Sequence, residues 1–165
     1  MKRSALLFIL VVFLGSACDT TKDLVQKNYP SQELSTDLEP EQTIFLIGDA
    51  GSPDSFPVEP SLALLQKKMG EVDQKNSSVV FLGDNIYPSG LHKKKHSKRA
   101  QDEASINTQL DILTEYEGRI VFLPGNHDWK KGKGEGDQFI KRQERYVEKY
   151  LDKGNVFLPD GGCPG

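Results

Sequence analysis

Three short apolar runs in this chain end in the same way, and that repetition limits the fold more than any other feature. Thr43-Ile44-Phe45-Leu46-Ile47 runs into Gly48-Asp49, and Ser78-Val79-Val80-Phe81-Leu82 runs into Gly83-Asp84. Arg119-Ile120-Val121-Phe122-Leu123 runs into Pro124-Gly125-Asn126-His127-Asp128. Each run is continuous and rich in β-branched and aromatic residues, the pattern of a strand buried on both faces. Each stops at a glycine followed by a side chain able to ligate a metal. Glycine there lets the backbone turn sharply beside a ligand.

The intervening segments read as helices. Pro60 opens one at its first turn, with Leu62, Leu65, Met69 and Val72 on one face. Ile106, Leu110, Leu113 and Tyr116 recur at helical spacing, and Gly118 is placed to stop that helix. Phe139, Ile140, Gln143, Tyr146, Val147, Tyr150 and Leu151 trace a third face, with Asp137 as N-cap and Gly154 as stop. Val156-Phe157-Leu158 reads as a last short strand. The order β-α-β-α-β-α-β implies an α/β fold with parallel pairing through right-handed crossovers. Ligands of such sheets gather beyond the carboxyl ends of the strands. Asp49, Asp84 and Asn126 all leave those ends, so three separate segments deliver oxygen ligands toward one place.

The chain of 165 residues fits one domain plus a leader. Lys2 and Arg3, the apolar run Ala5 to Leu14, and the small residues Gly15, Ser16 and Ala17 form a secretory signal pattern. The apolar run falls short of the roughly 20 residues a spanning helix needs. Cys18 follows directly, and the arrangement resembles a bacterial lipoprotein signal with Cys18 as the lipidated residue. Gly15 stands where the usual lipobox carries an aliphatic residue. The expected place is therefore the cell envelope, lipid-anchored to a membrane, with a secreted or periplasmic form as the alternative. Residues 19–42 are polar and contain two prolines, as in a tether, and the globular part begins near Thr43. Cys163 would then lack a partner within the chain. Without the leader, 19 basic groups face 24 acidic ones, so the domain's net charge gives no reason to bind nucleic acid.

The grouped motifs carry a family resemblance. Gly48-Asp49-Ala50-Gly51, Gly83-Asp84-Asn85-Ile86-Tyr87 and Gly125-Asn126-His127-Asp128 resemble the first three motifs of calcineurin-like metallophosphoesterases. Most of that superfamily has a second aspartate where this chain has Tyr87. That tyrosine, within Gly-Asp-Asn-Ile-Tyr-Pro-Ser-Gly, resembles the purple acid phosphatases of the small, tartrate-resistant type. The resemblance implies a dinuclear centre for phosphate ester hydrolysis, acid-phosphatase-like, acting on monoesters. Asp49 and Tyr87 would bind a ferric ion, Asp84 would bridge, and Asn126 would bind a divalent iron, zinc or manganese. His127 would protonate the leaving alkoxide or orient the phosphate, and Asp128 would support that histidine. Two cations about 3.5–4 Å apart hold an anionic phosphate and generate hydroxide near neutral pH.

Two other features invite a functional reading. His92 and His96 lie four apart, but in His-Lys-Lys-Lys-His-Ser-Lys-Arg the neighbouring charge opposes cation binding. They read as part of a solvated loop near the cleft mouth. Lys130-Lys131-Gly132-Lys133-Gly134-Glu135-Gly136 reads as a flexible, charged loop, and Trp129 as packing beside it. The family completes its site with three further histidines, and no histidine follows His127 here. The resemblance therefore implies the amino-terminal part of a four-layer α/β/β/α sandwich, supplying mainly one sheet and leaving an apolar face uncovered. The expectation is hydrolysis by a full-length form, with negligible turnover from these residues alone. The alternative is a catalytically incomplete envelope lipoprotein with a binding or vestigial role.

Overall fold

The computed structural model of the chain describes residues 41–51 and 60–162. Cys18, the leader, nearly all of the tether and Cys163 lie outside those residues. Among the described residues, no helix is long and apolar enough to cross a membrane.

Strands β1 (Thr43–Ile47), β2 (Ser77–Phe81) and β3 (Arg119–Phe122) form one parallel sheet in that order. Helix α1 (Pro60–Met69) joins the first pair, α2 (Arg99–Asp111) the second, and α3 (Gly136–Leu151) follows β3. Parallel neighbours need such crossovers, so the strand–helix alternation read from the sequence becomes the sheet's topology. The expected last strand is reduced to a single parallel bridge between Phe122 and Phe157. Asn155 has a positive φ of 57° and Pro159 lacks an amide donor, so little more than Val156–Leu158 can extend along β3.

Register sorts the side chains by face. Phe45 pairs with Val79, Ile47 with Phe81, Val79 with Ile120 and Phe81 with Phe122. These residues join Leu62, Leu65, Ile106, Leu110, Ile140 and Val147 in one core. Phe81 and Phe122 stack at 4.3 Å between ring centroids. On the opposite face, Ile44 and Leu46 are 58% and 64% exposed, with Leu82 just beyond β2 at 50%. Among the described residues, this face is in part exposed, as expected from the sequence, although Ser78 and Val121 on it are buried.

Four helix boundaries differ from expectation. Helix α2 begins seven residues before Ile106 and ends at Asp111, so Tyr116 and Gly118 lie beyond it. Tyr116 is still buried, and its hydroxyl pairs with Ser77 Oγ at 2.5 Å. The early start was hidden because the buried face of α2 carries Arg99, Asp102, Ser105 and Gln109 beside Ile106 and Leu110. Helix α3 is preceded by Glu135 in a left-handed conformation, which places Asp137 inside the first turn. Its charge there favours the positive end of the helix dipole. At the other end Asp152, also left-handed, stops the helix two residues before Gly154, with the Lys153 amide bonded to the Glu148 carbonyl at 3.1 Å.

Candidate metal centre

The loops leaving the three strands meet through their backbones before any side chain is considered. The Asp49 amide donates to the Gly83 carbonyl at 3.1 Å, and the Gly51 amide to the Asp84 carbonyl at 3.2 Å. The Tyr87 amide returns the contact to the Gly51 carbonyl at 3.0 Å. Asp49 and Asp84 both adopt positive φ, 57° and 54°. Aspartate tolerates that region better than most residues, and such geometry concentrates at functional sites. Gly125 is required by close approach, since a Cβ there would stand 2.2 Å from Asp84 Oδ1.

Four of the expected ligands come together. The Tyr87 hydroxyl donates to Asp49 Oδ1 at 2.5 Å and lies 3.1 Å from Asp84 Oδ2. Bonding to the Asp49 carboxylate, then burial and the Asp84 carboxylate, push the phenol well above its usual range. The proton held there occupies a position where a cation would relieve the same negative charge. With its amide nitrogen turned toward Asp84, Asn126 donates to Oδ2 and Oδ1 at 3.2 and 3.3 Å. In the opposite orientation the amide oxygen faces the same carboxylate, where a cation between the two could be ligated by both. Among the described residues no three His, Cys, Asp or Glu side chains cluster to hold a metal. The donor set here instead combines two carboxylates with a phenol and an amide. It is hard and oxygen-based, suited to ferric iron, manganese or magnesium, and the four residues fit a metal centre.

His127 lies at the edge of this group. Its backbone amide donates to Asp84 Oδ1 at 2.9 Å, and its ring sits 4.2 Å from that of Tyr87. Nδ1 lies 2.9 Å from the Pro88 carbonyl, which only accepts, so Nδ1 carries a proton and Nε2 remains for chemistry.

Asp128 does not support His127 as expected. Its fully buried carboxylate receives the backbone amides of Asn85 (3.1 Å), Ile86 (3.1 Å) and Gly125 (2.8 Å), plus the Asn85 side-chain amide at 3.2 Å. It clamps the loop after β2 to the loop after β3. Burial pushes its carboxyl up to about 6, although the bonds from Gly125 and Asn85 oppose the rise.

Sequence reading missed the supports on α2. Ser105 Oγ donates to the Gly51 carbonyl at 2.8 Å, and Gln109 Nε2 to the Asn85 carbonyl at 2.7 Å. Asp102 Oδ2 receives the His92 amide at 2.9 Å and its ring nitrogen at 2.7 Å. The only available sign was polar residues at helical spacing on what proves to be a buried face. His92 and His96 are not a freely solvated pair either. The His92 side chain is 13% exposed and stacks on His96 at 4.0 Å, while Phe139 meets it edge-on at 5.0 Å. The lysine-rich loop after Trp129 starts as a bonded turn. Lys130 and Lys131 donate their amides to the His127 and Asn126 carbonyls at 2.9 and 2.7 Å. Trp129 packs on the core as expected, where Gly136 leaves room for it.

The family model for calcineurin-like phosphoesterases matches residues 42–163. The chain belongs to this family. Its described residues are consistent with the amino-terminal part of a metallophosphoesterase fold, a parallel three-stranded sheet flanked by helices. Membership brings metal-dependent phosphoester hydrolysis, usually at a dinuclear centre, as the general chemistry of the domain. No curated protein matches the chain, and no solved structure does.

Proposed function

We propose that this phosphoesterase domain contributes part of the site that cleaves phosphate monoesters in the manner of a purple acid phosphatase. Asp49 and Tyr87 would hold a ferric ion, Asn126 would hold a divalent iron, zinc or manganese, and Asp84 would serve both. The observation that carries this reading is the Tyr87 hydroxyl, bonded to both Asp49 and Asp84. An aspartate at that position would offer a third carboxylate and no phenolate. Once bound, a dinuclear centre supplies positive charge for the phosphate and hydroxide near neutral pH.

The chain's own residues supply orientation and proton handling. Asp84 is fixed by the His127 amide on one oxygen and Tyr87 on the other, so its carboxylate cannot swing away. Tyr87 must release its proton to become a ligand, which makes uptake of a trivalent ion easier as pH rises. His127, anchored through Nδ1 on Pro88, keeps Nε2 to hand a proton to the departing alkoxide.

The test reads Tyr87 directly. With ferric iron added, the protein should develop a violet tyrosinate absorption that Tyr87→Phe lacks. If the band persisted unchanged in that variant, the purple-acid-phosphatase reading would fail. We also propose that a lipid on Cys18 anchors the domain at the cell envelope. Labelled palmitate should be incorporated by the parent chain in bacteria and not by Cys18→Ser. Equal labelling of the two would remove the anchor.

A further inference from the structure

A cavity of about 520 Å³ lies along helices α2 and α3, lined also by the loop before α2. Its cations are Lys93, Lys94, Arg99, Arg142, Arg145 and Lys149, against a single acidic side chain, Glu103. The whole chain carries a formal charge of −3, so this concentration is local. From α3, Arg142, Arg145 and Lys149 recur at helical spacing and form one stripe beside the buried stripe of Phe139, Gln143 and Val147. A neighbouring cavity of about 580 Å³ shares Lys93 and Arg142 with the first and adds Lys130.

The two central guanidiniums are held in place, unlike the lysines of a solvated face. The Arg99 side chain is 10% exposed. It donates through Nε to Glu103 at 2.7 Å and through Nη1 to the His92 carbonyl. Its planar group sits 5.3 Å from the Tyr146 ring centre. Arg142 donates through Nε to the Leu91 carbonyl at 2.9 Å and lies 4.5 Å from the Phe139 ring centre. Burial, and then the charge of Arg99, lower the Arg142 pKa, so these groups are kept near each other against their mutual repulsion. A fixed arginine fork matches phosphate oxygens, and little entropy is lost when it binds. The volume lies within the roughly 300–1,000 Å³ typical of small-molecule sites. That concave shape favours a compact anion over a flat membrane surface.

We propose that this cavity binds a linear oligophosphate, free or as part of a small molecule, at a site separate from the metal centre. Arg142, whose terminal nitrogens are left free by its bond through Nε, grips the phosphates, while Lys93, Lys94, Arg145 and Lys149 neutralise the oligophosphate's remaining charge and Arg99, paired with Glu103, holds the wall. The inference does not depend on the metal-site reading.

Tripolyphosphate is the probe, titrated calorimetrically into the full chain with EDTA present. One molecule should bind per chain, and Asp49→Asn should leave its affinity unchanged. Arg142→Gln should weaken it at least tenfold, about the effect of losing one charged hydrogen-bond partner. The exposed pair Arg145→Gln with Lys149→Gln should weaken it to a similar degree, which keeps the test valid if Arg142→Gln folds poorly. Affinity unchanged in the exposed double variant would overturn the proposal. Loss of binding in Asp49→Asn would also overturn it, by assigning the anion to the metal centre. So would vesicles containing phosphatidylglycerol capturing the chain while tripolyphosphate fails to bind.

Discussion

The two faces of the sheet are built from the same strands yet end in opposite conditions. One set of alternating residues, Phe45, Val79, Phe81, Ile120 and Phe122, is closed under three helices. The other leaves Ile44, Leu46 and Leu82 half exposed or more. Parallel strands are normally covered on both faces. The comparison shows where order comes from. The closed face anchors α2, and α2 carries Ser105 and Gln109 to the backs of the loops that present Asp49, Asp84 and Tyr87. The candidate metal centre is therefore supported from the closed side.

Mutations should divide along that line. Phe122→Ala removes one ring of the central stack and should cost about 3–5 kcal/mol in urea unfolding. A cost below about 1 kcal/mol would mean that the closed face is not the stabilising one. Asp128→Ala comes next. It leaves the buried amides of Asn85, Ile86 and Gly125 without their acceptor, at about 3 kcal/mol in total. It should also weaken metal binding, since the loops it joins carry Asp84 and Asn126. If unfolding and metal affinity both stayed at parent values, the clamp would be dispensable.

Gly125→Ala asks how tightly the loops close. The added methyl would displace Asp84, with a cost of about 1–3 kcal/mol and weaker metal uptake. Parent-like metal affinity in that variant would show that the loops have slack. Leu46→Ser on the open face should change stability by no more than about 0.5 kcal/mol. It should also reduce binding of a hydrophobic dye. A loss comparable to that of Phe122→Ala would show that the open face is as important as the closed one.

What the sequence revealed follows the same physics. Strand runs and their terminal ligands are legible because burial and ligation act on consecutive residues. Thr43–Ile47 lies where expected, and Asp49, Asp84, Tyr87 and Asn126 gather as their motif positions suggested. The beginning of α2 was not legible, because its buried face is polar to meet the loop carbonyls. The role of Asp128 was hidden too, since it depends on residues 42 and 43 positions apart in sequence becoming neighbours. The basic run at 92–99 read as a solvated loop, and its neighbours Arg142, Arg145 and Lys149 became visible only once α2 and α3 met along one cavity.

The central claim is that Asp49, Asp84, Tyr87 and Asn126 hold metal together. Calorimetric titration of the full chain and of Asp84→Asn with manganese tests it most directly. The parent should bind saturably and release protons, while Asp84→Asn should bind at least about tenfold more weakly, as loss of a shared carboxylate ligand requires. Equal affinity in the two proteins would contradict the account.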